Sequence, residues 1–331
     1  MPCYDLRVRS YGLFATRIIN YIGPFLDACE VEKGLSDNTQ KNYRGYLALF
    51  GTWLKSTQQE HLRPRELTAE LVWDYRLYIA RTYRTRQGSH LAKKSQNFYL
   101  IALRALLRYF AERDIESLPS SKVMLAKQDR DGALSFLDAR EFNELSKVPD
   151  TSKNEGLRDR AILETLLSSG MRVSEIVALN VDDVESLTSQ RPIRTLELAI
   201  IGKGKRARTV FLSPRACRWI RSYLAARGPD DHDALFINIR WRDPKGRRLS
   251  ARAVELMVAR CARVAELSKR VTPHTLRHSY ATDLLSRGAD LRSVQELLGH
   301  RSVATTQIYT HVTNKGLRDT HEKFHDKELQ E

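Results

Sequence analysis

Several short stretches of this chain carry residue types that could act on an anion. In TPHTLRHSYAT, Pro273 can open a helix, and His274 and Arg277, three positions apart, then project to one side of its first turn. The pair can act on one target, and the amides of such a helix start point toward an anion. Arg172 in SSGMRVSEI sits where a helix gives way after Gly170. Lys203 lies in Gly202-Lys203-Gly204-Lys205-Arg206, a glycine-rich turn between two strand-like stretches. That turn is not a phosphate loop, because the GxxxxGK[ST] spacing is missing. In LLGH, His300 follows a helix stop at Gly299, and Tyr309 falls in the short helical segment beyond, with Ser302 as its cap. Taken one at a time these are ordinary side chains: a surface arginine, a solvated turn lysine, a half-exposed tyrosine.

The elements that must position them follow from periodicity. From Ile18 to Asp114, apolar residues recur at a helical period in four segments, near 19–33, 37–57, 68–84 and 92–113, with no period-two strand. The second follows the capping residues Ser36-Asp37-Asn38 and aligns Tyr43, Tyr46, Leu47, Phe50 and Leu54 on one face. The third starts after Thr68, and its Leu71, Trp73, Tyr75, Leu77, Tyr78 and Ile79 are too apolar to stand exposed. The fourth combines an expected buried stripe of Phe98, Ile101, Leu103, Leu106, Leu107 and Phe110 with Lys93, Lys94, Arg104 and Arg108. A buried stripe beside a cationic face suits a helix lying along a phosphate backbone, so these four cations, with Lys205 and Arg206 of the turn, are candidate DNA contacts.

The period lapses over residues 116–134, through Pro119-Ser120-Ser121 and Gln128 to Gly132, which reads as a linker. Beyond it come helices at 139–147, with Asp138 as cap, and 157–168. A β-hairpin follows from 194–201 and 207–212, then helices at 214–227, 250–267, 274–287 and 290–298. The expected fold is mainly α with a small antiparallel β-sheet, in two domains. Residues 1–17 form an N-terminal extension of no assigned role, 18–115 a helical domain, and 135–331 a second domain ending in a tail at 314–331.

Composition agrees with two domains, since 331 residues exceed one ordinary core. The net charge is +15 and the pI near 9.7, a field that attracts polyanions. Up to residue 130 there are 21 Lys+Arg against 13 Asp+Glu, net +8, and after it 34 against 27, net +7. Both halves are basic, which fits two domains touching one nucleic acid better than a basic tail on a neutral enzyme. No apolar run is long enough to span a bilayer, and Met1 to Arg17 does not read as a secretory signal, so a cytoplasmic location is expected. Cys3, Cys29, Cys217 and Cys261 lie far apart with no CxxC pair, which argues against a zinc site or a disulfide framework.

Together the reactive residues resemble the tyrosine recombinase (phage integrase) family, whose signature is Arg, Lys, His-x-x-Arg, His or Trp, then Tyr. Here it reads Arg172, Lys203, His274-x-x-Arg277, His300 and Tyr309, with His300 twenty-six residues after His274 and Tyr309 nine after His300. The strings MRVSEI, GKGK, HTLRHSYAT, LLGH and YTH look especially like the Xer branch. The resemblance implies a DNA clamp with a four-helix core-binding domain and a catalytic domain. It implies Tyr309 as nucleophile and Arg172 and Arg277 as fixed cations on a phosphate whose charge spreads in the transition state. A free phenol has a pKa of about 10, so Tyr309 needs a base, for which His274 is the candidate; Lys203 then protonates the departing 5′-oxygen. His300 is assigned to hydrogen-bonding the phosphate, and Glu175 to buttressing the cationic site from the RVSE turn.

A 3′-phosphotyrosyl intermediate keeps the energy of the broken bond, so no cofactor is expected: neither metal nor ATP. The implied partner is double-stranded DNA carrying paired half-sites, engaged by a homotetramer on two sites, with a related recombinase or an accessory protein as further candidates and no membrane. Leu317 and Phe324 in the tail are its candidate subunit-docking residues. The competing readings are a type IB topoisomerase, which shares the chemistry without pairing two sites, and a DNA-binding factor that keeps the fold without cleavage.

Overall fold

The computed structural model describes residues 16–85, 87–127, 135–188, 192, 194–202, 207–241 and 246–299. The chain divides between Gly132 and Ala133 into two compact units.

In the first unit a 3-10 turn, Ile18–Tyr21, leads into α1 (Ile22–Val31), followed by α2 (Asp37–Ser56), α3 (Ala69–Leu77) and α4 (Lys93–Ala111). Leu47, Phe50 and Leu54 of α2 meet Tyr75 of α3 and Leu103, Leu106, Leu107 and Phe110 of α4 in one core, all of them buried. Full burial of each such side chain is worth roughly 1.5–3 kcal/mol, which the short isolated helices lack. Thr68 caps α3 by accepting from the Leu71 amide. Ser36 does not cap α2 in this way; its hydroxyl pairs with that of Thr39 at 3.0 Å.

Two expectations are corrected in this unit. The third helix does not run to residue 84: it ends at Leu77 and a π turn, Tyr78–Thr82, carries the chain out, while Trp73 is 55% exposed. On α4, Phe98 and Ile101 are exposed rather than buried. At 100° per residue, positions 98, 101, 105 and 108 share one side of the helix, and 103, 106, 107 and 110 the other. The apolar pair therefore lies on the side of Arg108, and Phe98 stacks on Tyr46 of α2 with centroids 6.1 Å apart.

The second unit comprises α5 (Ala139–Lys147), α6 (Asn154–Ser169), α7 (Val173–Ala178), β1 (Leu196–Ile201), β2 (Ala207–Leu212), α8 (Pro214–Arg227), α9 (Ala251–Val264), α10 (Pro273–Ser286) and α11 (Leu291–Leu298). α6 is its central element, packing on α8, α10 and β2, with Ala161, Ile162, Leu163 and Leu166 wholly buried. The two strands pair antiparallel from Leu196↔Leu212 to Ile201↔Ala207 and turn Leu198, Ile200, Val210 and Leu212 into the core. Asp138 caps α5 through the Glu141 amide, and Glu141 returns to the Asp138 amide, a reciprocal capping box. α7 has no counterpart in the sequence reading, because six residues are too few to display a period. Cys29, Cys217 and Cys261 are buried free thiols, and burial pushes Cys261 up to about 11. Among the described residues no helix is long and apolar enough to cross a membrane, and no group of His, Cys, Asp or Glu could hold a metal ion.

Candidate active site

The site is built where helices of the second unit end. α6 stops at Gly170, which adopts the left-handed conformation (φ 59°), and the chain turns through Met171, fully buried, to present Arg172 immediately before α7. Glu175, on the first turn of α7, is buried, and its Oε2 accepts from the Arg172 amide at 2.7 Å while Oε1 accepts from Arg172 Nη1 at 3.0 Å. From β2, Arg208 donates to both oxygens of the same carboxylate, at 2.8 and 2.7 Å. Burial pushes the Glu175 carboxyl up, but the Arg208 guanidinium and the Arg172 amide and guanidinium outweigh it and hold it below its ordinary value. It is an anion at neutral pH.

Arg277 reaches the same place from α10. It is 2% exposed, and a buried guanidinium is costly unless its N–H groups are bonded. Here Nη1 donates to the Gly170 carbonyl and Nη2 to that of Leu298, at the C-terminal ends of α6 and α11. Those ends carry partial negative charge and favour a cation. α11 also stops at a left-handed glycine, Gly299, the residue before His300, where a Cβ would stand 2.7 Å from Arg208 Cδ. The ends of α6 and α11 thus converge on Arg172, Arg208 and Arg277, three cations against the one carboxylate of Glu175. The net charge of these four side chains is +2, suited to an anionic group.

His274 is exposed on the first turn of α10, and its ring lies 4.1 Å, centroid to centroid, from that of buried His278. The anion-facing amides expected at this helix start are reduced: Pro273 has none, and the Thr275 amide donates to Thr272 Oγ1 at 3.1 Å in a capping box. Tyr280, the nearest alternative phenol, lies with its ring against Gly170. Burial pushes its pKa up and Arg277 only partly opposes this, so it ionises less readily than an ordinary tyrosine.

Of the candidates, the structure brings Arg172, Glu175 and Arg277 together and places His274 one turn away. Lys203, Lys205, Arg206, His300, Tyr309 and the tail 314–331 lie outside the described residues, as do residues 1–15 of the extension. Lys93, Lys94 and Arg108 are exposed on α4 and Arg104 is half-buried. Arg208 is the residue that sequence reasoning missed. Its signal was strand alternation: it shares the core-facing register of β2 with Val210 and Leu212, so an arginine there needs a buried acid.

The model of the phage integrase family matches residues 135–315, and that of the phage integrase N-terminal SAM-like domain matches residues 22–114. The tyrosine recombinase XerD of Pseudomonas putida is 34% identical over 305 residues, 92% of this chain and 96% of that protein. The tyrosine recombinase XerC of Pelobacter propionicus is 37% identical over 302 residues, 90% of this chain and 92% of its own length. Among solved structures, the XerH site-specific recombinase bound to a palindromic difH substrate aligns with a TM-score of 0.66 at 22% identity, covering 91% of this chain and 84% of that one. The Tn1549 transposon integrase with transposon right end DNA aligns at 0.67 and 17% identity, covering 93% and 99%; both show the shared fold. The chain belongs to the phage integrase family and is a tyrosine site-specific recombinase.

Proposed function

We propose that this recombinase cleaves and rejoins DNA at a site made by Arg172, Lys203, His274, Arg277, His300 and Tyr309. Tyr309 Oη attacks the scissile phosphorus and passes its proton to His274. The bond from phosphorus to the 5′-oxygen breaks, and Lys203 protonates the departing oxygen. Arg172 and Arg277 neutralise the non-bridging oxygens as charge builds on them, with His300 donating a further hydrogen bond. The resulting 3′-phosphotyrosyl ester is attacked by the 5′-hydroxyl of a second duplex, which frees Tyr309 and exchanges the strand through a Holliday junction. No net oxidation or hydrolysis occurs in the cycle.

The observation that carries this reading is the junction of Arg172, Glu175 and Arg277 at the ends of α6 and α11, with Gly299 leading directly to His300. The biological task is Xer-like, the processing of two DNA sites by a homotetramer in the cytoplasm, as in chromosome-dimer resolution or mobile-element movement; the names of the XerC and XerD relatives support it. In this reading residues 18–115 are a core-binding domain joined by the linker 116–134 to the catalytic domain 135–331, and the exposed face of α4 meets DNA. The test is a suicide substrate nicked beside the cleavage position. The wild type should accumulate a covalent protein–DNA adduct and Tyr309→Phe none, with binding nearly unchanged. An adduct that persists in Tyr309→Phe would place the nucleophile elsewhere.

A further inference from the structure

Arg208 lies in β2, yet its side chain is only 11% exposed. It forks onto both oxygens of Glu175, a carboxylate 33 residues earlier in the chain that is itself 5% exposed. Such a bidentate pair fixes geometry as well as charge. Arg172 makes one side-chain hydrogen bond to this carboxylate, through Nη1, and its side chain keeps 33% exposure. The stem of Arg208 also passes against the backbone of Gly299, so that any side chain at that position would collide with it. One arginine therefore touches both the carboxylate behind Arg172 and the residue preceding His300.

From this geometry we infer that Arg208 is a positioning residue for strand cleavage: by occupying the Glu175 carboxylate, it stops that carboxylate from capturing Arg172 and leaves the Arg172 guanidinium presented to the scissile phosphate. This rests on the recombinase reading above. The physical reason is the cost of a buried, partly paired carboxylate. Without Arg208, Glu175 turns both oxygens to its remaining cation, Arg172, which forms the fork instead and is withdrawn and neutralised.

The sign of this effect makes it testable, because removing the captor should restore what losing Arg208 takes away. Adduct formation on the suicide substrate is measured for the wild type, Arg208→Gln, Glu175→Gln and the double variant, together with half-site affinity and thermal melting. In Arg208→Gln, cleavage should fall by up to about 100-fold, the scale of a misplaced catalytic group, with little change in affinity. The double variant should cleave several-fold faster than Arg208→Gln alone, since a neutral amide does not capture Arg172. Arg208→Lys, which keeps the charge but not the fork, should fall between wild type and Arg208→Gln, and it carries the comparison if Arg208→Gln does not fold. The inference is overturned if the double variant is no better than Arg208→Gln, or if every folded Arg208 variant cleaves at the wild-type rate. A wild-type protein that forms no adduct would sink the recombinase chemistry itself, a separate failure visible in the first lane.

Discussion

Gly170 lets one substitution probe the link between fold and site. Its φ of 59° lies in the left-handed region, and a Cβ built there would stand 2.4 Å from Tyr280 Cδ1 and 3.1 Å from Leu298 Cδ2. Gly170→Ala therefore incurs a backbone strain of about 1–2 kcal/mol and an overpacking cost of about 1–3 kcal/mol. The smaller conformational freedom of the unfolded alanine chain offsets about 0.4–1 kcal/mol of this. The net loss is roughly 1–5 kcal/mol, and at about 2–4 °C per kcal/mol for a domain of this size the melting temperature should drop by several degrees or more. Function should suffer as well, because the Gly170 carbonyl accepts from Arg277 Nη1 and the ring that must move lies beside that pair. A displacement of that acceptor should slow adduct formation by roughly 10- to 100-fold. In a Tyr280→Ala background most of the overpacking is relieved, the Leu298 contact and the backbone part staying, so the same glycine substitution should cost less there. The assays are thermal denaturation and single-turnover cleavage of a suicide substrate. If Gly170→Ala melts and cleaves like the wild type, or costs the same with and without the Tyr280 ring, the packing argument is refuted.

The other expectations concern chemistry, DNA affinity and assembly. Lys203→Ala should impair cleavage at an ordinary 5′-oxygen far more than at a 5′-bridging phosphorothiolate, where sulfur leaves without a proton; equal defects on both would mean that another group is the acid. DNA affinity should fall steeply with salt, by about −0.9 in log K against log salt for each phosphate neutralised, and both halves, of net charge +8 and +7 about residue 130, should bind DNA weakly on their own. An N-terminal half inert toward DNA would contradict a two-domain clamp. Truncation after Asn314 removes Leu317 and Phe324, whose seven-residue spacing would put them on one face of a helix. It should spare half-site binding by the monomer and abolish synapsis and most recombination of a two-site plasmid; undiminished recombination would remove the subunit-docking role from the tail.

Much of this molecule is written locally, and such features were legible in the sequence. Gly170 and Gly299 end helices because only glycine enters the left-handed region without strain, and Asp138 and Thr68 cap helices through amides three residues away. Strand alternation and the basic turn defined the hairpin, and the order and spacing from Arg172 to Tyr309 identified the family. Contacts between distant residues were another matter. The Arg208 to Glu175 fork and the Arg277 bond to a carbonyl 107 positions earlier depend on how whole elements pack. Exposure of Phe98 and Ile101 also depended on packing, because the apolar residues of α4 cover more of its circumference than its neighbours α1 and α2 bury. The sequence by itself determined which residue types stand in which order and where helices start and stop, since those obey local backbone sterics and hydrogen bonding. Only the tertiary structure decided which carboxylate each arginine answers to, because burial turns a partner that would be optional in water into one that a charge must have.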